Sequence, residues 1–155
     1  DVSEVGYKYN LMDLLSAIGV EQFKKLNKHY QIRKKFWDIY QNSFKNKSLI
    51  NPKSWPKNII KHSYHLFNIY LEKKRDGISR DKAIIELHKK KIGVGIHYRA
   101  IPDHSIYKKL FGWNINKFPN AKKIGRETLS LPLSPSLKKR DIIRVIKSVN
   151  DIIRK

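Results

Sequence analysis

Cysteine is absent from the 155 residues, which excludes disulfides and thiolate metal sites and fits a reducing compartment. Acidic side chains are scarce, with 13 Asp and Glu against 34 Lys and Arg, a formal net charge of +21. No apolar run approaches the roughly 20 residues that span a bilayer. The opening Asp1-Val2-Ser3-Glu4 has neither the basic end nor the apolar stretch of a secretory signal. The chain therefore reads as soluble and cytoplasmic, with no membrane partner. There is no Walker-type loop, no nucleophile elbow and no zinc-ligand cluster. Gly93-Val94-Gly95 is too short to cradle a phosphate, because the residues after it continue a strand and do not open a helix. No lysine sits in a setting that would bury and neutralise an amine.

What is present suffices for a core. Hydrophobic residues make up 40% of the chain, with 8 Tyr, 6 Phe and 3 Trp, so one domain or one substantial piece of a larger one is expected. The cationic excess attracts polyanions through long-range fields and counterion release. It is mostly lysine, as compositional drift and solvated helix faces would also produce. A basic module that binds polyanions is therefore the alternative function, but nucleic acid is not the expected partner.

Apolar residues at Leu14, Ile18, Leu26, Tyr30, Trp37, Tyr40 and Phe44, widened by Phe23 and Phe36, predict one long helix over 11–44. Gly19 inside it should cost stability unless another backbone packs closely there. Residues 46–61, with Pro52 and Pro56, read as a loop. His62–Leu71 reads as an interior strand, with Phe67, Ile69 and Leu71 on one face and Tyr64, Leu66 and Tyr70 on the other. Lys73–Gly77 is a charged turn. Ser79 caps a helix whose buried stripe holds Ala83, Ile84 and Leu87 and the stem of Lys91, and Gly93 ends it. Val94–Tyr98 is a short strand, followed by an irregular stretch around Pro102. Pro119–Arg126 is a short helix, Leu129–Leu133 is extended, and Ser136 caps a final helix buried along Ile142, Ile143, Val145, Ile146, Val149, Ile152 and Ile153. The order implies an α+β fold in which helices cover a small sheet.

Three segments could carry chemistry. Gly6–Asp13 places Lys8, Asn10 and two tyrosines at a helix entrance, where free N–H groups and the helix dipole favour an anion. The plain alternative there is Asn10 as N-cap with the tyrosines packed. Gly95–His104 holds His97, a proton donor or acceptor near neutral pH, and Arg99, a carboxylate or phosphate ligand. A metal held by His97, Asp103 and His104 is conceivable, though the spacing matches no strong ligand motif, and an exposed strand end is the simpler reading. Leu129–Pro135 carries no evident reactive group. His62 and His65 flank the central strand as satisfied structural residues.

In order along the chain, these segments resemble the DegT/DnrJ/StrS family of sugar aminotransferases. Gly6-Tyr7-Lys8-Tyr9-Asn10-Leu11-Met12-Asp13 and the residues on to Gly19 resemble the family's G-Y-x-Y-N/R run, and Arg33-Lys34-Lys35 its basic helix stretch. His62–Phe67 is similar to its S-x-H-L-Y/F strand, and Lys91–Tyr98 to G-I-G-T-x-V-H-Y. Phe118-Pro119-Asn120-Ala121 and Leu129–Pro135 match its closing F-P-x-A and L-S-L-P-L-x-P patterns. The resemblance implies the C-terminal small domain of a fold-type-I enzyme that uses pyridoxal phosphate. Residues 1–10 would be a phosphate-contact segment, 11–44 an interdomain helix and 45–155 a small α/β domain. The domain with the cofactor-anchoring lysine is expected to be absent, so no catalytic residue is assigned to this chain. It further implies that Lys8, where many members have asparagine, and Asn10 reach the cofactor phosphate of a neighbouring subunit. His97 and Tyr98 would approach a nucleotide sugar. A glutamate-type amino donor and either a homodimer or a missing N-terminal half are the implied partners, and a non-catalytic partner that dimerises with an intact aminotransferase is a further alternative function. Ala100 and Pro102 replace the proline and second histidine of the family's H-Y-x-P-x-H pattern, and His104 lies two places later.

Overall fold

A computed structural model describes residues 4, 6–44, 49–52, 61–72 and 78–153. Helices α1 (Asp13–Lys24) and α2 (Leu26–Ser43) lead into strand β1 (Leu49–Ile50) and strand β2 (Phe67–Leu71). There follow α3 (Arg80–Lys89), α4 (Ser105–Phe111), α5 (Pro119–Glu127), β3 (Thr128–Leu131) and α6 (Lys139–Ile153). The three strands form one antiparallel sheet in the order β1-β2-β3, so the expected interior strand is central and the α+β architecture is borne out.

The sheet has one apolar and one polar face. Register pairs Phe67 with Leu131 and Ile69 with Leu129, and Leu71 with Leu49, so these side chains share a face. They pack with Trp37, Tyr40 and Phe44 of α2, Ala83 and Leu87 of α3, and Ile142, Val145, Val149 and Ile152 of α6 in one buried cluster. Tyr40 is wholly buried and its hydroxyl donates to the Pro132 carbonyl at 2.8 Å, which satisfies the one polar atom on a large apolar ring. Burial pushes that phenol well above the usual tyrosine range. The alternate residues of β2 and β3 put Asn68, Tyr70, Thr128 and Ser130 on the opposite face.

Several boundaries differ from expectation. The long helix is two helices. At Lys25 the amide turns back to Gln22 and Phe23, and α2 begins anew. The apolar stripe is buried only in its second half: α1 has no buried residue, and Leu14 and Phe23 are 69% and 76% exposed. Nothing lies within 4 Å of a Cβ built on Gly19, so no backbone packs there. The strand begins at Phe67 and not at His62, because Tyr64 takes a left-handed conformation (φ 50°) that breaks the extension. Leu49–Ile50 forms an edge strand inside the expected loop, and α4 lies in the stretch read as irregular. The turn at Lys73–Gly77 falls outside the described residues.

Ser79 caps α3 as expected, its hydroxyl accepting from the Lys82 amide. The far end of α3 is closed by Lys91, not Gly93. Lys91 is left-handed (φ 56°), its amide donates to the His88 carbonyl and the Ile92 amide reaches Leu87. That is a Schellman closure with lysine where glycine is usual, and its exposed side chain contributes no buried stem. Val94–Tyr98 is no strand but a single bridge, Gly95 to Ser130. Pro119 opens α5 as expected. Ser136 does not cap α6; the helix begins three residues later, at Lys139, with Asp141 of its first turn accepting from the Lys138 amide. On α6, Ile142, Val145, Val149 and Ile152 are buried as expected, Ile146 and Ile153 partly so, and Ile143 is exposed.

Phe67→Ala should cost about 3–5 kcal/mol in urea unfolding, while Phe23→Ala should stay within about 0.5 kcal/mol. Lys91→Gly should stabilise the chain by about 1 kcal/mol, because a left-handed position suits only glycine without strain. A destabilised K91G would refute the Schellman assignment.

Candidate cofactor and substrate face

The polar face of the sheet holds a closed hydrogen-bond network around His97. A single pair of backbone bonds, Gly95 N–H to Ser130 O (3.1 Å) and Ser130 N–H to Gly95 O (2.8 Å), lays the segment over β3. The segment then leaves the ladder. The His97 carbonyl accepts from the Asn68 side-chain amide at 3.3 Å and from the Thr128 hydroxyl at 3.5 Å. Ser130 Oγ donates to Asn68 Oδ1 at 2.6 Å and lies 2.7 Å from His97 Nδ1.

These contacts set the tautomer. The Asn68 amide must turn its nitrogen to the His97 carbonyl, so its oxygen faces Ser130. Ser130 has one proton and gives it to Asn68, so it can only accept from His97. Nδ1 therefore carries the imidazole proton, and in the neutral ring Nε2 keeps its lone pair. The result is a half-buried histidine presenting an acceptor. Gly95 makes room for it: a Cβ there would meet His97 Cε1 at 2.7 Å. Tyr98 follows with its ring edge-on to His97 at 4.8 Å and 72% of the residue exposed.

The structure brings His97 and Tyr98 together but not the other sequence candidates. Lys8 and Asn10 lie on an exposed segment before α1, where Tyr7 and Tyr9 pack ring to ring at 5.7 Å. Asn10 does not cap the helix; Met12 occupies that position. The Lys8 ammonium and the Asn10 amide are exposed donors, a set that suits a phosphate arriving from outside the segment. Arg99 is committed to Asp103, with Nε on Oδ2 at 3.1 Å, and Lys108 bonds Oδ1 at 2.9 Å. Lys108 and Arg99 hold the Asp103 carboxyl below its ordinary range. His104 packs on Tyr107, and among the described residues no group of His, Asp and Glu could hold a metal ion. His62 takes the Tyr64 amide on Nδ1 at 3.0 Å, as a satisfied structural histidine would.

Sequence reasoning missed Ser130 and Asn68. Each is a small polar residue inside an otherwise apolar strand, and that interruption was the available signal. A lysine that anchors a carbonyl cofactor needs a lowered pKa. The two described lysines with shifted values, Lys34 beside Asp38 and Lys123 beside Glu72, are both held upward. Among the described residues no helix is long and apolar enough to cross a membrane.

Ser130→Ala should cost roughly 1–3 kcal/mol by stranding His97 Nδ1 and Asn68 Oδ1. Gly95→Ala should cost about as much by driving the ring out of place. Gly93→Ala, with nothing within 4 Å of its Cβ, should change little. Equal stabilities for all three in urea titrations would contradict the network.

The profile of the DegT/DnrJ/EryC1/StrS aminotransferase family matches residues 1–150. The spore coat polysaccharide biosynthesis protein SpsC of Bacillus subtilis is 34% identical over 156 residues, covering 99% of this chain and 40% of its own length. The chain spans about two fifths of the length of the curated relatives it matches. Its fold matches PseC of Helicobacter pylori, an aminotransferase of pseudoaminic acid biosynthesis, with a TM-score of 0.83 at 24% identity over 99% of this chain and 40% of that one. It also matches Spr1654 of Streptococcus pneumoniae, a candidate sugar aminotransferase solved in a pyridoxal-phosphate form, with a TM-score of 0.86 at 24% identity over 98% of this chain and 38% of that one. The chain belongs to the DegT/DnrJ/EryC1/StrS aminotransferase family.

Proposed function

We propose that the chain is the C-terminal part of a pyridoxal-phosphate-dependent sugar-nucleotide aminotransferase acting in the cytoplasm. The family match over residues 1–150, with His97 held as an acceptor on the polar sheet face, carries this reading. When bound, the cofactor supplies the electron sink for amino transfer from a glutamate-type donor to a keto sugar. The residues here bind and orient. Lys8 and Asn10 donate to the cofactor phosphate across a subunit boundary. His97 Nε2 accepts a hydrogen bond from a sugar hydroxyl, and the exposed Tyr98 ring covers the apolar side of the nucleotide sugar. The anchoring lysine comes from residues outside 1–155, so the chain is inactive alone.

The exposed apolar positions of α1 support this division. Leu14, Leu15, Ile18, Val20 and Phe23 form a surface too apolar for a solvated helix. It is suited to meet the lysine-bearing domain or a second copy in a homodimer. Residues 1–10 would then be the phosphate-contact segment, 11–44 the interdomain element and 45–155 the small domain.

Joined to the N-terminal region of the Bacillus subtilis relative, the chain should bind pyridoxal phosphate and aminate a nucleotide-linked keto sugar at the expense of glutamate. Lys8→Ala should weaken cofactor binding about tenfold or more, as loss of one charge-assisted phosphate bond requires. His97→Ala should raise the KM for the nucleotide sugar. Turnover by residues 1–155 alone would overthrow the proposal.

A further inference from the structure

At the bend between α1 and α2, a pocket of about 210 Å³ is lined by Asn27, Tyr30, Arg33, Lys61, His62 and Ser63, with Leu26 at its edge. Its polar lining contains two cations and a histidine, and no carboxylate. Arg33 Nε is buried and has no hydrogen-bond partner among the described residues, and the indole Nε1 of Trp37, one turn along α2, is also a buried donor without an acceptor. Buried donors are ordinarily paired, so two on one helix face signal an acceptor that the described residues do not provide. The surrounding contacts leave donors available. Lys61 Nζ lies over the Tyr30 ring, 5.4 Å from its centre, which holds the ammonium at the pocket. His62 accepts the Tyr64 amide on Nδ1, so its proton resides on Nε2. The acid nearest along the helix, Asp38, bonds Lys34 at 2.6 Å and does not line the pocket.

We propose that this pocket is an anion site for a phosphate group, free or as a small phosphomonoester. A guanidinium, an ammonium, an imidazole N–H and two hydroxyls are the donor set that phosphate oxygens take. Size limits the ligand, since pockets for drug-sized molecules run to about 300–1,000 Å³. The site uses none of the residues around His97 and does not depend on the cofactor reading.

Isothermal titration of the 155-residue chain with inorganic phosphate, and in parallel with ribose 5-phosphate, at fixed ionic strength tests this. Saturable one-site binding is expected, weakened roughly tenfold or more in Arg33→Gln and in Lys61→Gln. Lys147→Gln on α6 should bind as the parent does, which separates a site from the general pull of a +21 chain. Tighter binding of the ester would name the phosphomonoester as the ligand, and equal binding would name free phosphate. Should Arg33→Gln fail to fold, the exposed Lys61 substitution decides alone. Non-saturable binding, or affinity equal in parent, K61Q and K147Q, would overturn the proposal.

Discussion

The pairing of β2 with β3 is the constraint on which the rest depends. Register sets Phe67 against Leu131 and Asn68 against Ser130, and in doing so divides the sheet into a dry face and a polar one. A slip of β3 by one residue would turn Thr128 and Ser130 toward the core and carry Leu129 and Leu131 out of it, a cost that fixes the register. The apolar face organises α2, α3 and α6, and Tyr40 ties α2 to the segment after β3 through the Pro132 carbonyl. The polar face holds His97. Stability and site therefore rest on the same four residue pairs.

The polar face shows why small residues can matter more than reactive ones. Ser130 and Thr128 are buried at 4% and 0% exposure, which isolated hydroxyls would not tolerate. They are tolerated because each hydroxyl has a partner in the 97 segment or on β2. The chain of donors has one consistent direction, from Asn68 nitrogen to His97 carbonyl and from His97 Nδ1 through Ser130 to Asn68 oxygen. A closed, directed network of this kind fixes ring orientation without any ion pair.

Much of this was legible in the residues. Period-two alternation marked β2, though it pointed to a start at His62 and not Phe67; the Ser79 cap and the Pro119 start were visible as local signals, and His97 with Tyr98 stood out in the H-Y segment. The failures have physical causes. A stripe of apolar residues does not say whether its cover lies within the chain, so α1 looked as buried as α2. A lysine in the left-handed region hid the end of α3, because the local signal for such an end is glycine. The two-residue β1 is held by its partner and not by its own pattern. Asn68 and Ser130 lie 62 residues apart, and only register joins them. The cationic surplus is spread over α2 to α6, from Lys28 to Lys147, while α1 has Asp13 and Glu21 against Lys24, which fits drift over a dedicated polyanion face.

The central claim is that strand register presents His97 with its proton on Nδ1 and an open acceptor at Nε2. Imidazole nitrogen chemical shifts of His97, read by NMR near pH 8, test it most directly. The account predicts a pyrrole-type Nδ1 and a pyridine-type Nε2 in the parent chain, with the distinction lost in Ser130→Ala. A proton resident on Nε2, or rapid averaging between the two tautomers in the parent, would contradict it.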